Sequence, residues 1–118
     1  MEGLWSALAL SLLLTEAFEL PFCALVWRFG GRELAVCALA NAVTNPPVVL
    51  IHTLISAWLA ANGKSAVMPL AVLILELSAV VVEWLIYRRC TAKRLPFFIS
   101  LTANAFSYGM GLLLNCLI

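Results

Sequence analysis

Four apolar stretches dominate the sequence, at residues 4–27, 34–61, 66–87 and 95–118, with only short charged or turn-forming segments between them. Each reaches the roughly 20 residues that an α-helix needs to cross the hydrocarbon core of a bilayer. Transmembrane β-strands would be about half as long and would alternate in polarity, which these stretches do not. Inside lipid the backbone must satisfy its own hydrogen bonds, so the stretches are predicted to be four transmembrane helices of an all-α integral membrane protein. Composition agrees, with 64% hydrophobic and 11% charged residues and a mean hydropathy of +1.06. A soluble domain carries about a quarter charged residues. The lipid bilayer is thus the first partner, and no nucleic-acid partner is expected.

The first stretch is expected to be retained rather than cleaved as a signal peptide. "MEGLW" begins with an acid where a basic region belongs, and "LTEAFELPF" lacks a small-residue cleavage site. Lys and Arg set the orientation. Arg28 and Arg32 lie in the first loop and Arg88, Arg89, Lys93 and Arg94 in the third, against Lys64 on the other side. The positive-inside rule places loops one and three in the cytoplasm and both termini outside, with a prokaryotic plasma (inner) membrane as the expected residence. Trp5, Trp27, Trp58, Trp84 and Tyr87 fall near the predicted helix ends, where interfacial anchors belong. Cys23, Cys37, Cys90 and Cys116 form no CxxC and sit in different elements, so they read as small buried hydrophobes. No cofactor is expected, and the spacing specifies no metal.

The sequence also repeats itself. Sliding the first half by 60 positions lays Glu16 on Glu76, Trp27 on Tyr87 and Arg28 on Arg88. A slide of 63 lays Asn41 on Asn104, Thr44 on Ser107, Asn45 on Tyr108, Pro46 on Gly109 and His52 on Asn115. These coincidences fall on the rare polar positions, where chance matches are scarce. The expected organisation is a tandem duplication of a two-helix hairpin, residues 1–61 and 66–118. Two crossings per unit give both copies one orientation, so their pseudo-two-fold axis runs along the membrane normal. Pro46 and Pro47 remove two amide donors and strand the carbonyls of Ala42 and Val43, so the second helix is predicted to kink or break there. Gly109 and Gly111 weaken the fourth helix at the matching place. Freed carbonyls beside carboxylates would make an oxygen-rich cation site.

Polar residues within the stretches share faces. Glu16 and Glu19 lie three apart; Asn41, Thr44, Asn45 and His52 form one stripe; Glu76 and Glu83 lie seven apart. Ser100, Asn104, Ser107, Tyr108 and Asn115 follow the same rule. The stripes are expected to face one another across the bundle interior. At about 1.5 Å per residue, Glu16 comes out near mid-membrane, and Glu19, Asn41, Asn45, Glu76 and Asn104 reach nearly the same level. These six are the candidate substrate- or ion-binding residues, with Thr44, Pro46, Ser107, Tyr108 and Glu83 in support. Glu83 is expected shallower, near the cytoplasmic mouth, as an interfacial acid paired with Arg88 or Arg89.

An acid in mid-membrane is costly and functional by default. Protonated, it donates a hydrogen bond to an amide; ionised, it needs a cation. The chain therefore reads as a small multi-pass carrier or channel for a cation or cationic solute, with Glu16 and Glu76 as the mid-membrane acids that bind charge and couple protons, and Asn41, Asn45 and Asn104 as further ligands. Four helices enclose little space, so a homo-oligomer is expected. The alternative is a non-catalytic accessory or assembly subunit of a larger membrane complex, whose polar stripes would face outward. A third possibility is an intramembrane enzyme using Glu16 and Glu19 as an acid/base pair. No nucleophile–base constellation supports it, and the single histidine lies in the other leaflet.

Overall fold

Runs of Leu, Val and Ala that cannot hydrogen-bond to lipid close their own backbone bonds, and the chain is helical almost throughout. The computed structural model describes residues 2–117. Its long helices are α1 (Glu2–Val26), α2 (Gly31–Ala61), α3 (Met68–Cys90) and α4 (Pro96–Leu117), with a 3-10 turn at Ser65–Val67 leading into α3. All four are long and apolar enough to cross a membrane.

Local chemistry ends each helix. Arg28 takes a left-handed φ of 55°, and the amides of Trp27 and Phe29 both return to the Cys23 carbonyl, at 3.2 and 3.1 Å. The left-handed arginine turns the chain back so that the Phe29 amide reaches six residues to the Cys23 carbonyl, farther than the five of a Schellman motif. Gly63, at φ 65°, ends α2, and the Lys64 amide bonds the Leu59 carbonyl at 2.8 Å. Pro96 opens α4, where its missing amide is not needed.

The helices form a ring in chain order, and α4 closes back on α1 through the thinnest of the four interfaces. One polar clasp spans each interface. Asn45 Nδ2 donates to Thr15 Oγ1 at 3.0 Å between α2 and α1, and Thr44 Oγ1 lies 3.0 Å from Glu83 Oε2 between α2 and α3. Ser100 Oγ donates to the Val80 carbonyl at 2.6 Å between α4 and α3, and Trp27 Nε1 donates to Thr102 Oγ1 at 3.0 Å between α1 and α4.

Packing is concentrated at the end bearing loops one and three. Cys23, Phe29, Cys37, Tyr87, Ile99 and Ala103 form a buried plug there. Phe29 meets Tyr87 edge-on at 5.9 Å, and Phe22 stacks on Phe106 at 4.8 Å. Lys93 ties the two loops by donating to the Arg28 carbonyl at 3.0 Å and lying 3.7 Å from Glu33. Toward the other end burial thins out. No described residue of α1 before Glu19, of α3 before Ala79 or of α4 after Asn104 is buried.

Several expectations need correction. Helix α2 runs unbroken through Pro46 and Pro47, and α4 through Gly109 and Gly111. The remaining bonds of each turn carry the chain past two missing donors, so no break forms. Tyr87 is fully buried and is no interfacial anchor, because the loop after α1 folds Phe29 against it; Trp5 and Trp58 are exposed. Cys23 and Cys37 are buried, but Cys90 and Cys116 are exposed at opposite ends of their hairpin.

Candidate functional site

The less buried halves of the four helices line an open cavity of about 580 Å³. Its walls are largely apolar, with Leu10, Leu14, Phe18, Val48, Val49 and Leu112 among them. Its floor is polar and comes from all four helices: Glu19, Thr44, Glu83 and Asn104. Glu76 lies two turns above Glu83 on the same face of α3, and His52 and Asn115 stand at the wide end. Below the floor lies the plug, so the cavity is closed toward loops one and three.

Glu19 and Glu83 are each 1% exposed. Glu83 Oε2 meets Thr44, and the same carboxyl faces Asn104. Glu19 faces Ser107, and Glu16 faces Asn41. Each amide commits one of its two N–H groups elsewhere: Asn104 Nδ2 to the Ser100 carbonyl at 2.8 Å, Asn45 Nδ2 to Thr15, and Asn41 Nδ2 toward Cys37 Sγ at 3.8 Å. Among the described residues, five buried acceptors are left without a hydrogen-bond partner, Glu19 Oε1, Glu83 Oε1, Asn45 Oδ1, Glu16 Oε1 and Asn41 Oδ1, and so is the Tyr87 hydroxyl in the plug below. No cation answers them, since among the described residues the one ion pair is Lys93 with Glu33 at the loops. Nor do three or more His, Cys, Asp or Glu side chains among the described residues gather as a metal site.

Of the residues singled out in the sequence, Glu19, Asn45, Glu76 and Asn104, with Thr44, Ser107, Tyr108 and Glu83, line this one cavity. Glu16 and Asn41 are not on its surface; they meet beside it. Pro46 is also off the surface, as are Ala42 and Val43, both exposed, so the carbonyls that the prolines free do not line the cavity. The pairing expected between Glu83 and Arg88 or Arg89 does not form. Those arginines lie about 140° and 240° around α3 from Glu83 and are exposed, while Glu83 shares the inward face with Tyr87. Thr15 was missed in the sequence, although it lies one turn before Glu19 on the inward face of α1, where an uncharged hydroxyl carries little signal. Compared with known proteins, the chain matches no family model, and no curated protein or solved structure is significantly similar to it.

Proposed function

We propose that the protein is a small membrane carrier for a cation or cationic solute, with the carboxyls of Glu19 and Glu83 as its binding groups. The observation that carries this is the pair of acids, each 1% exposed, lining one cavity with unanswered oxygens and no basic partner. A buried carboxyl without a cation must hold a proton or recruit a positive charge. Such a site exchanges one for the other. A cavity closed at one end also suits a carrier resting in a one-sided state better than a channel, which needs a continuous path. The charge bias of the loops puts the wide end outside and the plug on the cytoplasmic side.

A tandem repeat would add support in a register shifted from the one read in the sequence: a slide of 64 instead of 60 in α1 and α3 lays Glu19 on Glu83, in place of Glu16 on Glu76, and Cys23 on Tyr87, both fully buried. In α2 and α4, Cys37, Ala40 and Asn41 fall on Ser100, Ala103 and Asn104, all buried. The contacts obey the same exchange. Glu83 of α3 meets Thr44 of α2, and Glu19 of α1 faces Ser107 of α4, the counterpart of Thr44. A two-fold axis along a ring of four helices carries α1 to α3 and α2 to α4, as this pairing requires. Repeats so related can rock against each other around a fixed central site.

An accessory subunit would point its polar groups outward. Instead the exposed hydroxyls of Thr53 and Ser78 turn back on their own helices, bonding the carbonyls of Val49 and Ile74 at 2.9 and 2.8 Å. The deciding experiment is reconstitution in liposomes with a trapped pH dye, under imposed gradients of sodium, potassium or organic amines. Gradient-driven proton movement is expected, and its loss in Glu19→Gln and in Glu83→Gln. A folded wild-type protein that moves nothing under any of these gradients rules the carrier out.

A further inference from the structure

The cavity is one-sided in what it offers a ligand. Among the described residues that line it, the buried polar atoms without a partner are all oxygens that accept, Glu19 Oε1, Glu83 Oε1 and Asn45 Oδ1, each tucked just beneath its surface. Above them the wall is hydrocarbon, and 580 Å³ is the size of a pocket for a small organic molecule. The ligand must therefore bring positive charge and hydrogen-bond donors at one end and apolar surface at the other.

That combination discriminates among cations. A bare divalent ion takes six or more oxygens around it, and the described residues gather no three-acid cluster to supply them. It would also leave the apolar wall against water. A quaternary ammonium has no N–H, and the sites that favour it surround it with aromatic faces. Here the phenyl and phenol rings of the lining belong to Phe18 and Tyr108 alone. A primary ammonium presents three N–H donors, enough to meet the three unanswered acceptors of the lining residues once their side chains turn toward the ligand.

We propose that the cavity binds a primary organic amine as its ammonium ion, the –NH3+ head between Glu19, Glu83 and Asn45 and the apolar body along Leu14, Val48 and Val49 toward the wide end. The proposal rests on reading the two acids as a cation site, but it concerns binding and is tested without transport. Asn45 holds its place in the site through the bond its amide makes to Thr15, which leaves its oxygen free to accept.

The test is titration calorimetry on the protein in nanodiscs, with empty nanodiscs as the blank. The ligands are hexylammonium, its mono-, di- and trimethylated forms, and hexanol. Charge and chain stay constant through the four amines while N–H donors fall from three to none. Saturable binding of hexylammonium is expected, weakening stepwise to at least tenfold for the trimethyl form, with no saturable binding of hexanol. Glu19→Gln and Glu83→Gln should each weaken hexylammonium at least tenfold, with circular dichroism confirming the helical fold. The ligand series decides the matter in the wild-type protein even if a variant fails to fold. Equal affinities for the four amines overturn the proposal, and so does absence of saturable amine binding. If amines fail to bind while potassium- or sodium-driven proton movement persists, the amine falls and the carrier stands. Amine binding without any transport upholds the amine and removes the carrier.

Discussion

Thr44 has one proton and two neighbours that want it. Its Oγ1 lies 3.1 Å from the Ala40 carbonyl and 3.0 Å from Glu83 Oε2. With Glu83 ionised, the hydroxyl donates to one acceptor and leaves the other unanswered. With Glu83 protonated at Oε2, the acid donates to Thr44 and Thr44 donates to Ala40, and both contacts are satisfied. The residue thus follows the charge on Glu83. Thr44→Val keeps the volume and removes this link, so it should destabilise the protein by about 1 kcal/mol in detergent unfolding and weaken hexylammonium binding severalfold. Thr44→Ser should restore both. A valine variant equal to wild type in both measurements would remove Thr44 from the site. At this scale the sequence was partly legible. Polar residues are so scarce in the apolar stretches that those at helical spacing had to share a face, and most of them do line one cavity. Depth misled where helix phase was ignored: Glu83 looked interfacial because arginines follow it in sequence, yet they project elsewhere.

Helix number and loop position were plain in the sequence, because hydrophobic length is dictated by the bilayer and charge marks the gaps. The fate of α2 at Pro46–Pro47 was not. Two missing donors say what a helix loses locally, while continuity depends on whether the bonds of neighbouring turns hold the path. The stop after α1 was equally hidden, since nothing in "VWRFGG" names Arg28 over Gly30 as the left-handed residue. It matters because the stop delivers Phe29 onto Tyr87 and so closes the plug. An L-residue in that conformation costs roughly 1 kcal/mol, so Arg28→Gly should raise stability by about that amount, read as a higher midpoint of unfolding in SDS titration. Five basic residues remain in loops one and three, and the orientation should not change. A glycine variant less stable than wild type would mean that the arginine side chain stabilises the turn. On the far side of the bundle, Ser100→Ala removes the bond to the Val80 carbonyl and should lower stability by about 0.6 kcal/mol, the usual worth of a polar contact between membrane helices.

For the bundle as a whole, the ring order of the helices follows from short loops, but the uneven burial of its two ends had no signature. The two ends of each helix are similarly apolar, and estimating depth from residue counts treats the helices as parallel rods. The exposed cysteines test which end faces which compartment. Cys116 lies at the wide end and Cys90 beside the basic loops, both exposed. In intact cells a membrane-impermeant maleimide should modify Cys116 and spare Cys90; the reverse pattern would invert the orientation. The cavity also fixes how charge is balanced. Three carboxyls line it, those of Glu19, Glu76 and Glu83. The two buried ones, Glu19 and Glu83, have no ion-pair partner among the described residues and are neutral only if each holds a proton. An ammonium ion seated between them restores neutrality only if one proton leaves. Binding of hexylammonium should therefore release about one proton per site, counted by repeating the calorimetry in buffers of different ionisation enthalpy. Linkage then gives the sign of the pH effect. Acidification refills the carboxyls and competes with the amine, so affinity should fall by up to about tenfold per pH unit wherever the full proton is released. Potassium or sodium exchanging at the same acids would show the same competition without the dependence on N–H donors. If affinity instead rises on acidification, or no proton is released between pH 6 and 8, the two carboxyls do not trade a proton for the cation, and Glu19 and Glu83 serve only as a static polar network within the fold.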